Sequence, residues 1–473
     1  MRILLPTILL FSVACVGSDV ADVAVDAGGS QDAGTDSGAT DAASPDGAAG
    51  PDAGPLDGGP VDAAPGDAGP PDAGPPPACS ITVSPGFAAV NTLGAAIAAA
   101  APKDRICLMP GNYAQGDGQT YPLNVPAGVV LLRAPGASGA IRLVGAPTIP
   151  TLVFADGGGV SGIDFASGSP AVSAKGDVTI GKSTFAEATV AVLARGTGAL
   201  TMVDATIMTA DPATCRTGLD LGDSAAVTLT NLASSGVSYV VATSGAASVT
   251  MVSPALVAPP SCKKPTDAQN YASFAVSHSS SGLLDVTGGK ISGANAQILA
   301  SGPVKLGGNV QLATGQDGVR VTGAGALNAD TVLLDGLTHG IWSTANASAV
   351  ITATKLKVTN TSIGFRATGS NSVAITASDF AGTATGAQFE GNLVNMSLTG
   401  VDFGFNRPSG TAVVFAAGAS GYATLTNSRF VPSVQGANNT GFYAAGTKTD
   451  GLAVAPAGAA NFRGHAAGVG GKF

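Results

Sequence analysis

From Val178 onward the chain alternates apolar and polar positions in short bursts separated by turns rich in glycine. Val178-Thr179-Ile180, Leu200-Thr201-Met202, Val227-Thr228-Leu229 and Val249-Thr250-Met251 each hold one polar residue between two apolar ones. The pattern resumes at Leu284, Val304 and Leu327, then at Val350-Ile351-Thr352, Val373-Ala374-Ile375 and Val394-Asn395-Met396. Alternation of period two predicts strands, and most openings recur after roughly 22 residues, a spacing that signals a repeat architecture. Strands this short cannot bury a face alone, so they are expected to stack coil upon coil. Corners of Gly, Ser, Thr, Ala and Asn, with only 11% charged residues, fit an all-β parallel β-helix. A leucine-rich repeat shares the length but requires a Leu-x-x-Leu-x-Leu frame that the chain lacks.

Two steps are longer. Their extra residues, "TADPATCRTG" around Cys215 and "APPSCKKPTDAQN" around Cys262, fall at the same place in coils two apart. Loops from one corner of a stacked solenoid can meet above the intervening coil. With Cys15 set aside, four cysteines remain, and four allow three connectivities. Cys215–Cys262 is favoured by the loop positions, and Cys79–Cys107 would tie the first residue of the folded part to its first strand.

Ahead of the repeat, Asn91 or Thr92 is placed to cap a helix running to Ala101 and stopped by Pro102. Leu93, Ile97 and Ala100 share one side, suited to covering the open first coil. The segments "AAIAAA", "DRICLMPGNY" and "YPLNVPAGVVLL" resemble the opening module of a bacterial family of unknown function within the pectate-lyase-like superfamily. That resemblance implies a right-handed, single-stranded parallel β-helix with an N-terminal capping helix. It implies export but no reaction. The chain departs from the family pattern at Asn91-Thr92-Leu93 and at Gln119-Thr120.

The ends of the chain differ in character. "MRILLPTILLFSVAC" places one basic residue before an apolar run too short to span a membrane, as an export signal does. Cys15 follows small residues and resembles the lipidated Cys of a bacterial lipobox, with Ser12 departing from the family's aliphatic preference. Val16 after it favours the outer membrane by that family's sorting rule. Residues 16–78 hold twelve Asp and no Lys, Arg or Glu. Such a low-hydrophobicity, Pro-rich, self-repelling segment is expected to be an extended, disordered tether. Residues 79–473 carry 21 Lys+Arg against 19 Asp+Glu, so the folded part is almost neutral and lacks the basic stripe of a nucleic-acid binder. The expected organisation is a signal over 1–15, a stalk over 16–78, a cap with first coils over 79–140, and repeats over 141–473.

Candidate chemistry is sparse. His278, His339 and His465 fall on distant coils, so no metal set is expected, and no cofactor. Superfamily hydrolases use clustered aspartates with a His-Gly and an Arg-x-Lys; here only Thr338-His339-Gly340 resembles that pattern. Asp317 and Asp335 do not align, and Asp156-Gly157-Gly158-Gly159 is a weak calcium motif. No catalytic residue is assigned, and His339 is read as a solvent-facing corner residue.

Aligning the coils on glycine gives "GVRVTG" from Gly318, "GIWSTA" from Gly340, "GFRATG" from Gly364, "GAQFEG" from Gly386 and "GFYAAG" from Gly441. The third position faces outward, predicting a column of Arg320, Trp342, Arg366 and Gln388, with Tyr443 further on. This Arg-Trp-Arg arrangement is a candidate platform for a sugar ring or an acidic glycan; a purely stabilising ladder is its alternative. The expected function is a non-catalytic cell-envelope lipoprotein, membrane-bound only through its lipid, that binds a glycan or another envelope component. A polysaccharide lyase or hydrolase, and an adhesive spacer, stand as alternatives.

Overall fold

The computed structural model describes residues 78–86, 92–264, 266, 269–380, 382–390 and 392–404, with the strand segments 411–415, 420–426, 428–431, 464–466 and 469–472. The fold is an all-β parallel solenoid of about 14 turns. A 16-stranded sheet and a 22-stranded sheet run along it. A typical coil gives the first sheet one strand, such as Val178–Gly181, and the second sheet two, such as Thr184–Ala186 and Val190–Ala194.

The alternation seen in the chain sets the register. Val178 pairs with Leu200, then Val227, Val249, Leu284, Val304 and Leu327, all buried in one column. Thr179, Thr201, Thr228 and Thr250 form the neighbouring outward column. Like side chains therefore stack on like down the core. Phe165 and Phe185 illustrate it, with ring centroids 4.8 Å apart and planes 5° from parallel.

Two openings differ from the expected register, one by a single residue and one by two. Leu327 pairs with Ile351 rather than Val350, and Val350 is 55% exposed while Ile351 is buried. Val373 pairs with Met396 rather than Val394. The first is a change of parity: Val350 opens its strand beside the true inward position, and a slip of a single residue exchanges the two faces. The second keeps parity and moves the opening by one pair, next to a register irregularity between Leu393 and Met396.

Thr92 caps the helix Leu93–Ala99, its Oγ1 accepting from the Ala95 N–H at 3.2 Å. The helix ends at Ala99, two residues short of expectation, with Ala100 as its extended C-cap, and buries Leu93, Ala96 and Ile97. Both disulfides are present. Cys79–Cys107 joins residues just before and within the first parallel pair, Ile81–Val83 with Arg105–Leu108. Cys215–Cys262 bridges the two insertions across the intervening coil. A backbone bridge between Thr214 and Lys263 lies beside it.

Candidate functional site

The strands Val310–Val321, Val332–Ser343, Thr361–Ala367 and Thr383–Phe389 lie side by side in the second sheet. Their register places Arg320 opposite Trp342, Trp342 opposite Arg366, and Arg366 opposite Gln388. Flanking residues such as Val319, Val321, Ile341 and Phe365 are buried, so these four point outward. The column continues to Val414; Tyr443 lies outside the described residues, as do Cys15 and residues 1–77, where the signal and stalk are expected.

Glycine precedes each of these outward residues by two positions because the coils close up there. A Cβ on Gly318 would sit 2.5 Å from the Gly340 carbonyl oxygen, and one on Gly340 would sit 2.4 Å from that of Gly364. Without a Cβ at these positions, neighbouring coils can approach this closely.

Trp342 is enclosed on both faces. The Arg320 guanidinium carbon lies 5.0 Å from the indole centroid, and that of Arg366 lies 5.3 Å from it. Stacking of this kind follows from the ring quadrupole and the guanidinium plane. It also changes the expected platform, since no face of the indole is left for a sugar ring. Only the indole edge and the outer rims of the guanidinium groups remain.

Both cations are balanced. Nε and Nη2 of Arg320 reach Oδ2 of Asp317 at 2.5 Å, and Nη2 also donates to Oδ1 of Asn295 at 2.9 Å. Nη2 of Arg366 donates to Oε2 of Glu390 at 2.9 Å, and Gln388 donates to Oε1 of the same carboxylate. Two donors, Nε1 of Trp342 and Nε of Arg366, have no hydrogen-bond partner.

The expectation for His339 is overturned. The residue is buried, and its Nδ1 lies 2.7 Å from Oδ1 of Asp317, which has no exposed surface. Asp317 and His339 are register partners, directly stacked on neighbouring coils. Nη1 of Arg366 approaches Nε2 of His339 at 3.4 Å, and the His339 ring lies 5.1 Å from that of Trp342. The Nδ1–H tautomer donates to Asp317 and accepts from Arg366 through Nε2, and the imidazole then joins the two arginine-carboxylate pairs into one network. Counting alternation two residues back from Val319 and Ile341 places Asp317 and His339 inside. That was the available signal, and the adjacent glycine masked it by resembling a corner.

This network is poorly arranged for hydrolysis. Asp317 and Glu390 sit three coils apart, about 14 Å along the axis at the ordinary strand spacing, beyond the roughly 6.5–9.5 Å an inverting pair requires. Asp335 pairs in register with Ala313, not Asp317, and accepts from Thr359 and Asn360. His278 is buried on another coil against Thr243. Among the described residues, no three His, Cys, Asp or Glu side chains converge as a metal site.

The chain matches no family model and no curated protein sequence. Among solved structures it is similar to the catalytic unit of a thermostable GH87 alpha-1,3-glucanase from Streptomyces thermodiastaticus strain HF3-3, at 13% identity and a TM-score of 0.44. The likeness covers 73% of this chain and 69% of that one, and at this level it bears on neither activity nor substrate.

Proposed function

We propose that the chain is an exported cell-envelope protein whose solenoid binds a neutral, hydroxyl-rich glycan without catalysis, through the edge of the Arg320–Trp342–Arg366–Gln388 column. The observation that carries the reading is the charge balance of this column. Arg320 is matched by Asp317 and Arg366 by Glu390. An acidic glycan would gain little from cations already paired, whereas sugar hydroxyls both donate and accept, matching the mixed rim of Arg366, Glu390 and Gln388. Engagement of the ionisable groups with one another, and the wide carboxylate spacing, support the non-catalytic side of the reading.

Export is supported by two disulfides, which persist in oxidising compartments. No described helix is long and apolar enough to cross a membrane. Lipidation at Cys15, a stalk over 16–78 and closure of the first coil by the helix Leu93–Ala99 complete the proposal. The test is a neutral-glycan array probed with the wild-type chain and Trp342→Ala. Binding by the first and its loss in the second is expected. Equal binding by both, or binding by neither, sinks the reading, and turnover of any polysaccharide overturns its non-catalytic part.

A further inference from the structure

A second polar concavity lies at the corner where strands of the second sheet hand over to the first. It is a groove of about 860 Å³, lined on successive coils by Asp156, Lys175, Asp177, Arg195 and Asp223 around a glycine floor. Most floor glycines are explained by packing. A Cβ on Gly158 would meet the Val129 carbonyl oxygen at 2.6 Å, and one on Gly176 would meet the Gly157 nitrogen at 2.7 Å. Gly196 is different, since a Cβ there meets nothing within 4 Å and would project into open space.

The walls carry both signs of charge, and part of it is uncommitted. Asp177 accepts from the Ala199 N–H and Asp223 from the Gly196 N–H, each with one carboxylate oxygen. Arg195 is tied to Asp220 at 2.9 Å. Lys175 bonds through its backbone to Phe154 and Gly157, but among the described residues no hydrogen bond or ion pair engages its side chain or that of Asp156. Donors and acceptors facing one another across a groove of this size suit a hydroxyl-rich ligand.

The groove and the arginine-tryptophan column are connected. Asp220, which holds Arg195, belongs to the same outward column as Trp342. The register runs from Asp220 through Ala242, Ser277 and Leu299 to Arg320. No long charged side chain interrupts this stretch, and the corners beside it are built from pairs such as Ser244-Gly245 and Ser301-Gly302. Six coil steps separate Gly196 from Trp342, about 29 Å along the axis.

We propose that the groove and the column are two contact points on one track, which holds a single extended polysaccharide chain parallel to the solenoid axis. This rests on the glycan-binding reading above and adds to it the class of ligand: a polymer long enough to reach both points, rather than a free mono- or disaccharide. A chain held at one end meets the second point at high effective concentration. Affinity is therefore expected to rise steeply once the ligand spans both.

The experiment measures binding of neutral glucan, mannan and chitin oligosaccharides, from disaccharide to dodecasaccharide, to the purified full chain. For the glycan type that binds, the longest member is expected to bind roughly 100-fold more tightly than the shortest. Gly196→Asn fills the open floor position with a residue that tolerates its positive φ of 93°, and should flatten this gradient. Lys175→Ala should flatten it by an independent route, while Thr228→Ser on the first sheet should leave it intact. Disaccharide binding without a length gradient, or a gradient surviving both groove variants, overturns the track and leaves the column reading standing. Absence of binding at every length overturns both.

Discussion

Nδ1 of His339 lies 2.7 Å from Oδ1 of Asp317, a residue 22 positions earlier that has no exposed surface. The contact exists because one coil separates them. The same carboxylate holds Arg320, whose side chain is only 16% exposed. Removing the negative charge leaves a nearly buried guanidinium with the Asn295 side chain as its remaining hydrogen-bond partner, and breaking such a pair is strongly destabilising. Asp317→Asn is expected to lower stability by about 3 kcal/mol, read by chemical denaturation together with hydrogen exchange on the flanking strands. The Lys305–Asp285 pair is the comparison. Its lysine is 54% exposed, so Lys305→Met should change stability by less than about 1 kcal/mol. Equal effects would contradict the burial argument.

Burial pushes the His278 imidazole below its ordinary pKa, with the ring held against Thr243 Oγ1 at 2.8 Å. Between the ordinary value and the depressed one, the unfolded chain binds a proton that the folded chain does not. Stability therefore rises with pH through that window, and is lost as the solution is acidified through it. The denaturation midpoint of the wild type should fall between neutral and mildly acidic pH. In His278→Asn that fall should be shallower. Parallel pH profiles for the two proteins would show that another group is responsible.

The disulfide between Cys215 and Cys262 closes 47 residues of chain. Chain entropy alone assigns a loop of that size about 4 kcal/mol. The insertions also hold one another through the backbone near Thr214 and Lys263, where the Cys215 N–H donates to the Lys263 carbonyl at 2.8 Å. Loss of the bridge should therefore loosen the insertions before the coils beneath them. In the Cys215→Ser, Cys262→Ser double variant, limited proteolysis is expected to cut first within 209–216 or 258–273. Initial cleavage among the stacked strands would contradict this order.

Stacking made much of the fold legible in the sequence, because a repeated inward column needs a repeated apolar position. The two register shifts mark its limit. Val350 and Val394 are as apolar as their neighbours, and only pairing with the coil below shows that Ile351 and Met396 are the register partners of Leu327 and Val373. The outward column was readable for the complementary reason, since Gly318, Gly340 and Gly364 are each required where coils touch and so serve as markers. Asp317 and His339 were obscured by composition: a carboxylate and an imidazole look like surface residues until each supplies the partner that makes burial of the other tolerable. The charge balance of Arg366 with Glu390 and the groove near Gly196 were hidden differently. Each joins residues about one coil or more apart, with no local pattern to connect them.

The same glycines give the most demanding test of the site's construction. A Cβ on Gly340 would stand 2.4 Å from the Gly364 carbonyl oxygen and 2.9 Å from Leu334 Cδ1. The leucine methyl can rotate away, but the carbonyl belongs to the neighbouring coil and cannot yield without moving the strand. Gly340→Ala is therefore expected to destabilise by about 2 kcal/mol. It should also separate the coils that hold Trp342 between Arg320 and Arg366. Trp342 is the one tryptophan in the chain, so its fluorescence reports this place alone. An emission shift in folded Gly340→Ala, absent from Gly196→Asn, is the expected signature. Unchanged emission together with unchanged stability would mean that the coils have slack at this corner, and that the close approach is not what fixes the ladder.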